Sequence, residues 1–154
     1  MANNNLNIHR ATINDVENLF NLIKCLAEYE KLSHQMTGNI KNLEKHLFGN
    51  PVYAEAIIAK LDHKSVGFAL FFTNYSTFLT KPGIYLEDLF VLPEYRFQGI
   101  GKSLLNYLIN LAKDRDFGRV EWSVLDWNQS AINFYEKIGA KILPDWRICR
   151  VIIN

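Results

Sequence analysis

The sequence predicts one α/β domain built on a mixed β-sheet. Its 154 residues are close to the usual length of one domain, and two halves would each have only a marginal core. Hydrophobic residues with helical and with strand-type periods alternate along the chain. The tight polar turn Asp62-His63-Lys64 separates two strand-type runs and favours an antiparallel hairpin. We therefore expect one domain over residues 1–154 with the element order β-α-α-β-β-β-α-β-α-β.

The first half of the chain predicts one strand and two helices. Residues 6–11 form a short strand-type run. Thr12 and Asp15 stand at the spacing of a capping box, so a helix should follow them. Apolar residues continue at helical spacing to a helix end near residues 29–30. A second helix is expected over residues 39–48.

The second half predicts five strands and two further helices. Residues 100–112 carry apolar side chains on one helical face, and Gly118 closes that helix. Asn128 is placed to cap a last helix, which Gly139 ends. The strand-type runs lie at residues 54–61, 66–75, 84–91, 119–126 and 146–153.

Composition excludes several classes of function. Seventeen basic against sixteen acidic residues leave a net charge of +1, without the basic excess that a nucleic-acid-binding protein uses. The longest uncharged stretch, residues 65–80, is too short and too polar to span a bilayer. The four histidines stand at no metal-ligand spacing, so no metal is expected. Two cysteines outside any C-x-x-C pair, and an N-terminus without a signal-peptide pattern, predict a cytoplasmic protein.

The segment richest in chemical information is VLPEYRFQGIGKS, residues 91–103, between a strand and a helix. It lacks one glycine of a Walker A loop, because Arg96 stands at that position, and one glycine of a dinucleotide fingerprint, because Leu104 stands there. What remains is Arg96-x-x-Gly99-x-Gly101 at a helix start. Backbone amides there can face a pyrophosphate, although the glycines can equally serve only a tight connection.

This loop, with YLEDLFV before it and DWNQSAINFY after it, resembles the GCN5-related N-acetyltransferase (GNAT) superfamily. LAEYEKLS near the N-terminus extends the resemblance to the diamine and thialysine N-acetyltransferase branch. It implies a mostly antiparallel, twisted mixed sheet flanked by helices, with two strands splayed at an acetyl-CoA cleft. The chain departs from that pattern at Phe97, where relatives usually have glycine, and in a short link between Gly139 and Trp146.

The resemblance also implies where acetyl-CoA, the co-substrate, would bind. Its pantetheine would pair with a strand backbone and lie beside a helix start, and its pyrophosphate would face the glycine loop. The implied contact residues are Leu89, Phe90, Val91, Arg96, Phe97, Gln98, Gly99, Ile100, Gly101, Lys102, Asn128, Ser130 and Tyr135. For Asn128, capping of a helix is an equally good explanation and does not exclude the contact.

Acidic residues supply the implied amine site. Glu87 and Asp88 interrupt an apolar strand, where period 2 sends them to opposite faces and a buried carboxylate needs a partner. A structural ion pair would explain them, but the resemblance implies that both bind the amine, with Glu87 as the base. Tyr29 and Glu30 are implied as further amine contacts. Tyr135, which core packing would also explain, is implied as the general acid.

The sequence thus predicts an acetyl-CoA-dependent amine N-acetyltransferase that works by direct transfer. The acceptor would be a small cationic amine such as thialysine, a diamine or a polyamine. The resemblance implies a homodimer, and neither nucleic acid nor a membrane is an expected partner. Two alternatives stay open: an acetyltransferase for a protein amine or an antibiotic, and a non-catalytic acyl-CoA-binding module.

Overall fold

The computed structural model describes residues 5–154, which fall into two compact units: one ends at Ser123 and the other is Val124–Asn154. The interpretation of the sequence as one domain stays a prediction. The first unit contains strands β1 (Leu6–Arg10), β2 (Glu55–Leu61), β3 (Lys64–Ser76), β4 (Lys81–Val91) and β5 (Val120–Trp122), with helices α1 (Val16–Tyr29), α2 (Ile40–Phe48) and α3 (Ile100–Asp114). The second contains helix α4 (Gln129–Lys137).

The five strands form one mixed sheet in the order β1-β2-β3-β4-β5. The pairs from β1 to β4 are antiparallel, and β4 pairs with β5 in parallel. The tight turn between β2 and β3 has Asp62 and His63 at positive φ, as a short hairpin requires. The mixed sheet and its hairpin, both predicted from the sequence, are therefore confirmed.

Helices cover both faces of this sheet. Leu19, Leu22 and Leu26 of α1 are buried in one apolar cluster with Ile58, Phe68 and Phe90 of the sheet. A methyl group added at Gly67, the neighbour of Phe68, would lie 3.5 Å from Leu104 of α3. Neighbouring strand residues point to opposite faces, so α1 and α3 lie on opposite sides of the sheet.

The expected capping interaction is present, and it holds the start of α1 onto the sheet. The Thr12 backbone N–H donates to Asp15 Oδ2 at 2.8 Å, and a short 3₁₀ turn, Ile13–Asp15, precedes α1. Lys60 Nζ of β2 lies 3.0 Å from Asp15 Oδ1. The Thr12 and Lys60 interactions lower the pKa of Asp15, although burial opposes this.

Two predicted strands differ from the structure. The run at residues 119–126 forms a ladder only over Val120–Trp122. The predicted strand at residues 146–153 is wrong, because the unit Val124–Asn154 contains no strand. A strand is stable only when a neighbouring strand satisfies its backbone groups, and none pairs with this segment here. Its large apolar side chains are at least 70% exposed, with Ile148 and Ile152 at 70% and Ile153 at 88%.

Candidate active site

The parallel pair β4–β5 is much shorter than β4 itself. Its register runs from Ile84 opposite Val120 to Leu86 opposite Trp122. Strand β4 then continues to Val91 with β3 on one side only. The edge of β4 that faced β5 therefore has no strand partner along Glu87–Val91 among the described residues, and we call it the open edge of β4.

Strand geometry decides which backbone groups face this open edge. The Leu92 N–H donates to Val66 O of β3 at 2.8 Å. The carbonyl of the same peptide unit, Val91 C=O, points the opposite way, so Val91 O faces the open edge. Alternation along the strand gives Leu89 the same orientation as Val91. Of the three residues expected along the pantetheine, Leu89 and Val91 thus present backbone groups, whereas Phe90 faces β3.

The glycine loop presents a second set of backbone donors. Gly99 caps α3 with φ 82° and ψ 6°, a left-handed conformation that glycine adopts easily. Its carbonyl accepts from the Ser103 N–H at 3.0 Å and from the Ser103 hydroxyl at 2.9 Å. The N–H groups of the first helical turn, Ile100, Gly101 and Lys102, have no acceptor inside the helix. Together with the helix dipole, they form a surface that suits an anion.

Phe97 adopts an unusual conformation in this loop. Its φ is 63°, and its side chain is 98% exposed. A side chain with a Cβ atom rarely adopts this region, which favours glycine. The backbone at Phe97, directly beside the amides of Gln98 and Gly99, is therefore strained.

The Arg96 side chain contacts strand β4 and helix α1. Its Nε donates to Val91 O at 3.0 Å. Its Cζ lies 4.2 Å from the ring centroid of Tyr29 and 5.5 Å from that of Phe90. The side chain thus contacts the end of β4 and the end of α1 at once. No sequence signal shows this, because Arg96 matches a loop motif.

Strand β4 contains a bulge at Glu87. Asp88 lies opposite Leu70 of β3, and Leu86 lies opposite Phe71, so Glu87 has no position in the register. The strict alternation expected for this strand is broken here. Glu87 is exposed and Asp88 is partly buried. The expectation of a buried carboxylate therefore applies to Asp88 and is wrong for Glu87.

Three carboxyl groups in this region, those of Glu30, Glu87 and Asp88, lie close enough for their charges to interact. Burial, and then the negative charges of Glu87 and Glu30, raise the pKa of Asp88 to about 7. Burial raises the pKa of Glu30 as well. Glu30 follows α1 directly, and the ring of its neighbour Tyr29 lies 6.2 Å from that of Phe90. The structure thus brings the end of α1 and the bulge of β4 together, and a cation there would relieve the repulsion among the acids.

A side-chain hydrogen bond that the sequence did not reveal joins β4 to the residue that follows β5. The Tyr85 hydroxyl lies 3.0 Å from Ser123 Oγ, one residue beyond β5. The Tyr85 ring also lies 5.2 Å from that of Phe72 on β3. In the sequence, Tyr85 is one aromatic residue among several in a strand, so nothing distinguishes it. In the structure, Tyr85 lies one residue before the β4–β5 ladder ends at Leu86.

The second unit carries the other predicted site residues. Asn128 caps α4, its side chain accepting from the Ala131 N–H at 3.3 Å, and is buried. The predicted capping role of Asn128 is confirmed. Ser130 lies exposed in the first turn of α4. Tyr135 is 8% exposed, and its ring lies 5.4 Å from that of Phe134.

Two absences characterise residues 5–154, the described part of the chain. In this part of the chain, no group of three or more His, Cys, Asp or Glu side chains is arranged to hold a metal ion. No helix described here has the length and apolarity needed to cross a membrane.

Comparison with known proteins places these features in context. Residues 17–140 match the acetyltransferase (GNAT) family. The thialysine N-epsilon-acetyltransferase of Bos taurus is 35% identical over 146 residues, which cover 90% of this chain and 85% of the bovine protein. The L-ornithine N5-acetyltransferase of Arabidopsis thaliana is 52% identical over 85 residues, 55% of this chain and 37% of the plant protein.

Solved structures show the same fold at low sequence identity. An aminoglycoside acetyltransferase from a soil metagenomic sample superposes with a TM-score of 0.81 at 22% identity, covering 97% of both chains. An integron cassette protein from the mobile metagenome of V. cholerae gives a TM-score of 0.79 at 23% identity, over 97% of this chain and 93% of the other.

Proposed function

Since the chain belongs to the acetyltransferase (GNAT) family, we propose that it transfers the acetyl group of acetyl-CoA directly to the primary amine of a small, cationic acceptor. Thialysine, a diamine, a polyamine or a basic amino acid such as ornithine has this chemistry. The observation that carries the proposal is the acidic site formed by Glu30, Glu87 and Asp88 beside the open edge of β4. The named activities of the relatives, all on amines, support the same reaction class.

The residues of the first unit fit acetyl-CoA. The open edge at Leu89 and Val91 can accept an amide-rich, extended chain such as pantetheine as an additional strand. The amides of Ile100, Gly101 and Lys102 can hold a pyrophosphate, and the exposed Lys102 adds a positive charge nearby. A Cβ added at Gly99 would meet nothing within 4 Å, so the loop is open on that side. Bound acetyl-CoA would supply an acetyl group activated as a thioester.

The acidic site selects the acceptor by charge. Burial first, and then the negative charges of Glu87 and Glu30, raise the pKa of Asp88 to about 7, so ionising all three carboxylates together is unfavourable. An ammonium group placed among them removes that cost, so binding of a cation is favoured over binding of a neutral amine. Tyr29 lies directly before Glu30 and is a further proposed contact of the acceptor, although one cation, the Arg96 guanidinium, already lies 4.2 Å from its ring centroid.

The acceptor must lose a proton before it reacts. An alkyl amine with a pKa near 10.4 is protonated at pH 7, and exposing its lone pair costs about 4 to 5 kcal/mol. Glu87 takes this proton, directly or through water, because it is exposed on the bulge and adjoins the cation site. Asp88 and Glu30 hold the cation. A backbone N–H of the open edge would stabilise the negative charge that develops on the acetyl oxygen.

Tyr135 is the proposed proton donor to the leaving thiolate. A thiol with a pKa near 8.5 already leaves readily, so a phenol with a pKa near 10 assists the step. Tyr135 is buried in α4, whose start Asn128 caps, which gives the side chain a fixed position within its own unit.

The experiment that tests this proposal compares acceptors. Thiol release from acetyl-CoA is measured with thialysine, ornithine, putrescine, spermidine, a neutral aromatic amine and a lysine-containing peptide. We expect the small cationic amines to give the highest kcat/KM. Preference for the neutral amine or the peptide would contradict the acidic-site proposal.

A variant of Glu30 separates charge recognition from catalysis. Glu30→Gln should raise the KM for a dicationic acceptor more than it lowers kcat, because it removes attraction present before the reaction. Glu28→Gln, on an exposed position of the same helix, is the matched control and should leave KM unchanged. Equal KM values for the two variants would exclude Glu30 from the site.

A homodimer is also part of the proposal. The resemblance implies one, and the exposed apolar residues of the second unit support it. These side chains are Ile142, Leu143, Trp146, Ile148, Val151, Ile152 and Ile153, each at least 44% exposed. Exposed apolar surface of this kind is typical of an interface. Light scattering should give a mass of twice 17.9 kDa, and a monomer at micromolar concentration would contradict the proposal.

A further inference from the structure

Arg96 belongs to the glycine loop by sequence, but its side chain contacts the elements of the amine site. Its Nε donates to Val91 O at 3.0 Å. Its guanidinium carbon lies 4.2 Å from the centroid of the Tyr29 ring. One cation thus contacts the last residue of β4 and the last residue of α1. A planar guanidinium suits both contacts, since it can stack on a ring while its N–H groups donate in the plane.

The hydrogen bond to Val91 O fixes the start of the loop relative to the open edge. Val91 O faces the side of β4 on which a strand-like ligand would pair, and Arg96 Nε occupies this carbonyl. A ligand strand can therefore use the backbone of Leu89 and the Val91 N–H but must turn away at Val91 O. The loop amides begin at Phe97, directly after Arg96. Arg96 therefore stands between the part of β4 that would pair with the ligand and the amides that would bind its pyrophosphate.

The ring contact fixes the position of the acidic end of α1. Tyr29 is the last residue of α1, and Glu30 follows it directly. Glu30 is one of the charges that raise the pKa of Asp88, so its distance from the bulge of β4 matters for the acidic site. Arg96 Cζ lies 4.2 Å from the Tyr29 ring centroid and 5.5 Å from the Phe90 ring centroid, and the two rings lie 6.2 Å apart, so the guanidinium contacts both rings. Movement of Arg96 would therefore shift the Tyr29 ring, and with it the position of Glu30.

We propose that Arg96 is a positioning residue that couples the acetyl-CoA loop to the amine site by holding Tyr29 against the end of β4. The proposal rests on the function proposed above. Because linkage is reciprocal, acetyl-CoA on the loop should tighten amine binding, and the amine should tighten acetyl-CoA binding, by the same factor. In a simple pyrophosphate-binding role, Arg96 would affect acetyl-CoA alone.

The test uses Arg96→Lys, which keeps the charge but lacks the planar guanidinium. Three quantities are measured in the full-length protein: the Kd for acetyl-CoA, the KM for the preferred amine at saturating acetyl-CoA, and the melting temperature. We expect Arg96→Lys to raise the amine KM about tenfold while the acetyl-CoA Kd changes less. Arg119→Lys, at a surface ion pair with Glu121, is the matched control and should change none of them.

A double-mutant cycle with Tyr29→Leu tests whether the effect passes through the ring. If it does, Arg96→Lys should add little to the amine KM of Tyr29→Leu, since the contact is already lost. Additive effects would overturn the coupling through Tyr29. An unchanged amine KM in Arg96→Lys with a weakened acetyl-CoA Kd would also overturn it and return Arg96 to simple pyrophosphate binding.

The two proposals fail in different ways. A lower melting temperature of Arg96→Lys, with the acetyl-CoA Kd and the amine KM unchanged, would mean that Arg96 has a purely structural role and would overturn the coupling. The proposed function would stand in that case, because the wild-type enzyme would still be active. Absence of acetyl-CoA binding by the wild-type protein would instead overturn the proposed function, and the coupling with it.

Discussion

Glu87 and Asp88 are neighbours in β4, yet the bulge at Glu87 places them in different surroundings. Asp88 lies opposite Leu70 and is partly buried, whereas Glu87 has no position in the β3–β4 register and is exposed. Burial and the neighbouring charges raise the pKa of Asp88 to about 7. The structure therefore separates a carboxyl group that resists ionisation from one that water can reach.

The first prediction concerns the cost of Asp88 to stability. A folded-state pKa of about 7 against an ordinary value of 3.8 means that the folded protein holds a proton that the unfolded chain releases. The stabilising contribution of the protonated Asp88 is therefore fully present below about pH 4, and it is lost as the pH rises towards 7. Asp88→Asn should therefore raise the free energy of unfolding at pH 8, by up to about 4 kcal/mol, and lower kcat/KM for cationic amines.

Urea unfolding at pH 4 and pH 8 checks this, with Asp145→Asn, on an exposed residue of the second unit, as the control. The gain of Asp88→Asn should vanish at the lower pH. If Asp88→Asn were less stable than the wild type at pH 8, the ionised Asp88 would have to be stabilised by a favourable interaction, and the prediction would be wrong.

The second prediction separates the roles of Glu87 and Tyr135. If Glu87 takes the amine proton, Glu87→Gln should lower kcat by about 10² to 10⁴ near neutral pH and recover part of it near pH 9.5, where solvent supplies free amine. Tyr135→Phe keeps the ring but removes the donor, so a similar loss should not recover at high pH. Stopped-flow measurement of kcat against pH distinguishes the two.

Parallel pH profiles for Glu87→Gln and Tyr135→Phe would mean that the roles are wrongly assigned. Full activity in Tyr135→Phe would leave that tyrosine as a packing residue of α4. Glu136→Gln, on an exposed position of the same helix, is the control and should keep the wild-type profile.

The third prediction concerns Phe97. Its φ of 63° is strained for any residue with a Cβ atom, and its ring is 98% exposed, so little packing is lost when it is removed. Phe97→Gly should raise the free energy of unfolding by about 1 kcal/mol, because glycine adopts this conformation without the steric cost. Thermal unfolding measures the change.

Phe78 is the matched control for this substitution. It is 100% exposed and is not among the described residues with positive φ. Phe78→Gly should therefore lower stability or leave it unchanged, since glycine adds only entropy to the unfolded chain. If both variants shifted stability equally, strain at Phe97 would not be the cause of its effect.

The fourth prediction concerns the ion pair beneath α1. Asp15 is 4% exposed and lies 3.0 Å from Lys60, and its pKa is lowered in the folded state. Its contribution is therefore present above the unfolded-state pKa and lost as the pH falls through the folded value. Asp15→Asn should lower the free energy of unfolding by about 1 to 3 kcal/mol at pH 7, and by less near pH 3.

Asp116→Asn is the control, because Asp116 also pairs with a lysine, Lys81 at 3.1 Å, but its side chain is 90% exposed. An exposed pair contributes little to stability. Equal losses in the two variants at pH 7 would contradict the importance of burial at Asp15.

Local patterns in the sequence were enough to predict much of the fold. Helical spacing of apolar residues such as Leu19 and Leu26 predicted α1, and the polar turn at residues 62–64 predicted the hairpin. Asn128 gave the start of α4. Each of these elements depends on residues within a few positions of one another. The same local reading produced strands at residues 123–126 and 146–153, where the missing requirement was a partner strand.

The sequence alone also determined the family, which its match over residues 17–140 shows, and the resemblance proposed which residues would serve the reaction; those roles stay predictions. The tertiary structure decided what each one touches. The bulge that separates Glu87 from Asp88, the open edge beyond Leu86, and the stacking of Arg96 on Tyr29 all join residues that are distant along the chain or on neighbouring strands. Their energies depend on register, burial and ring geometry, and a linear pattern contains none of these quantities.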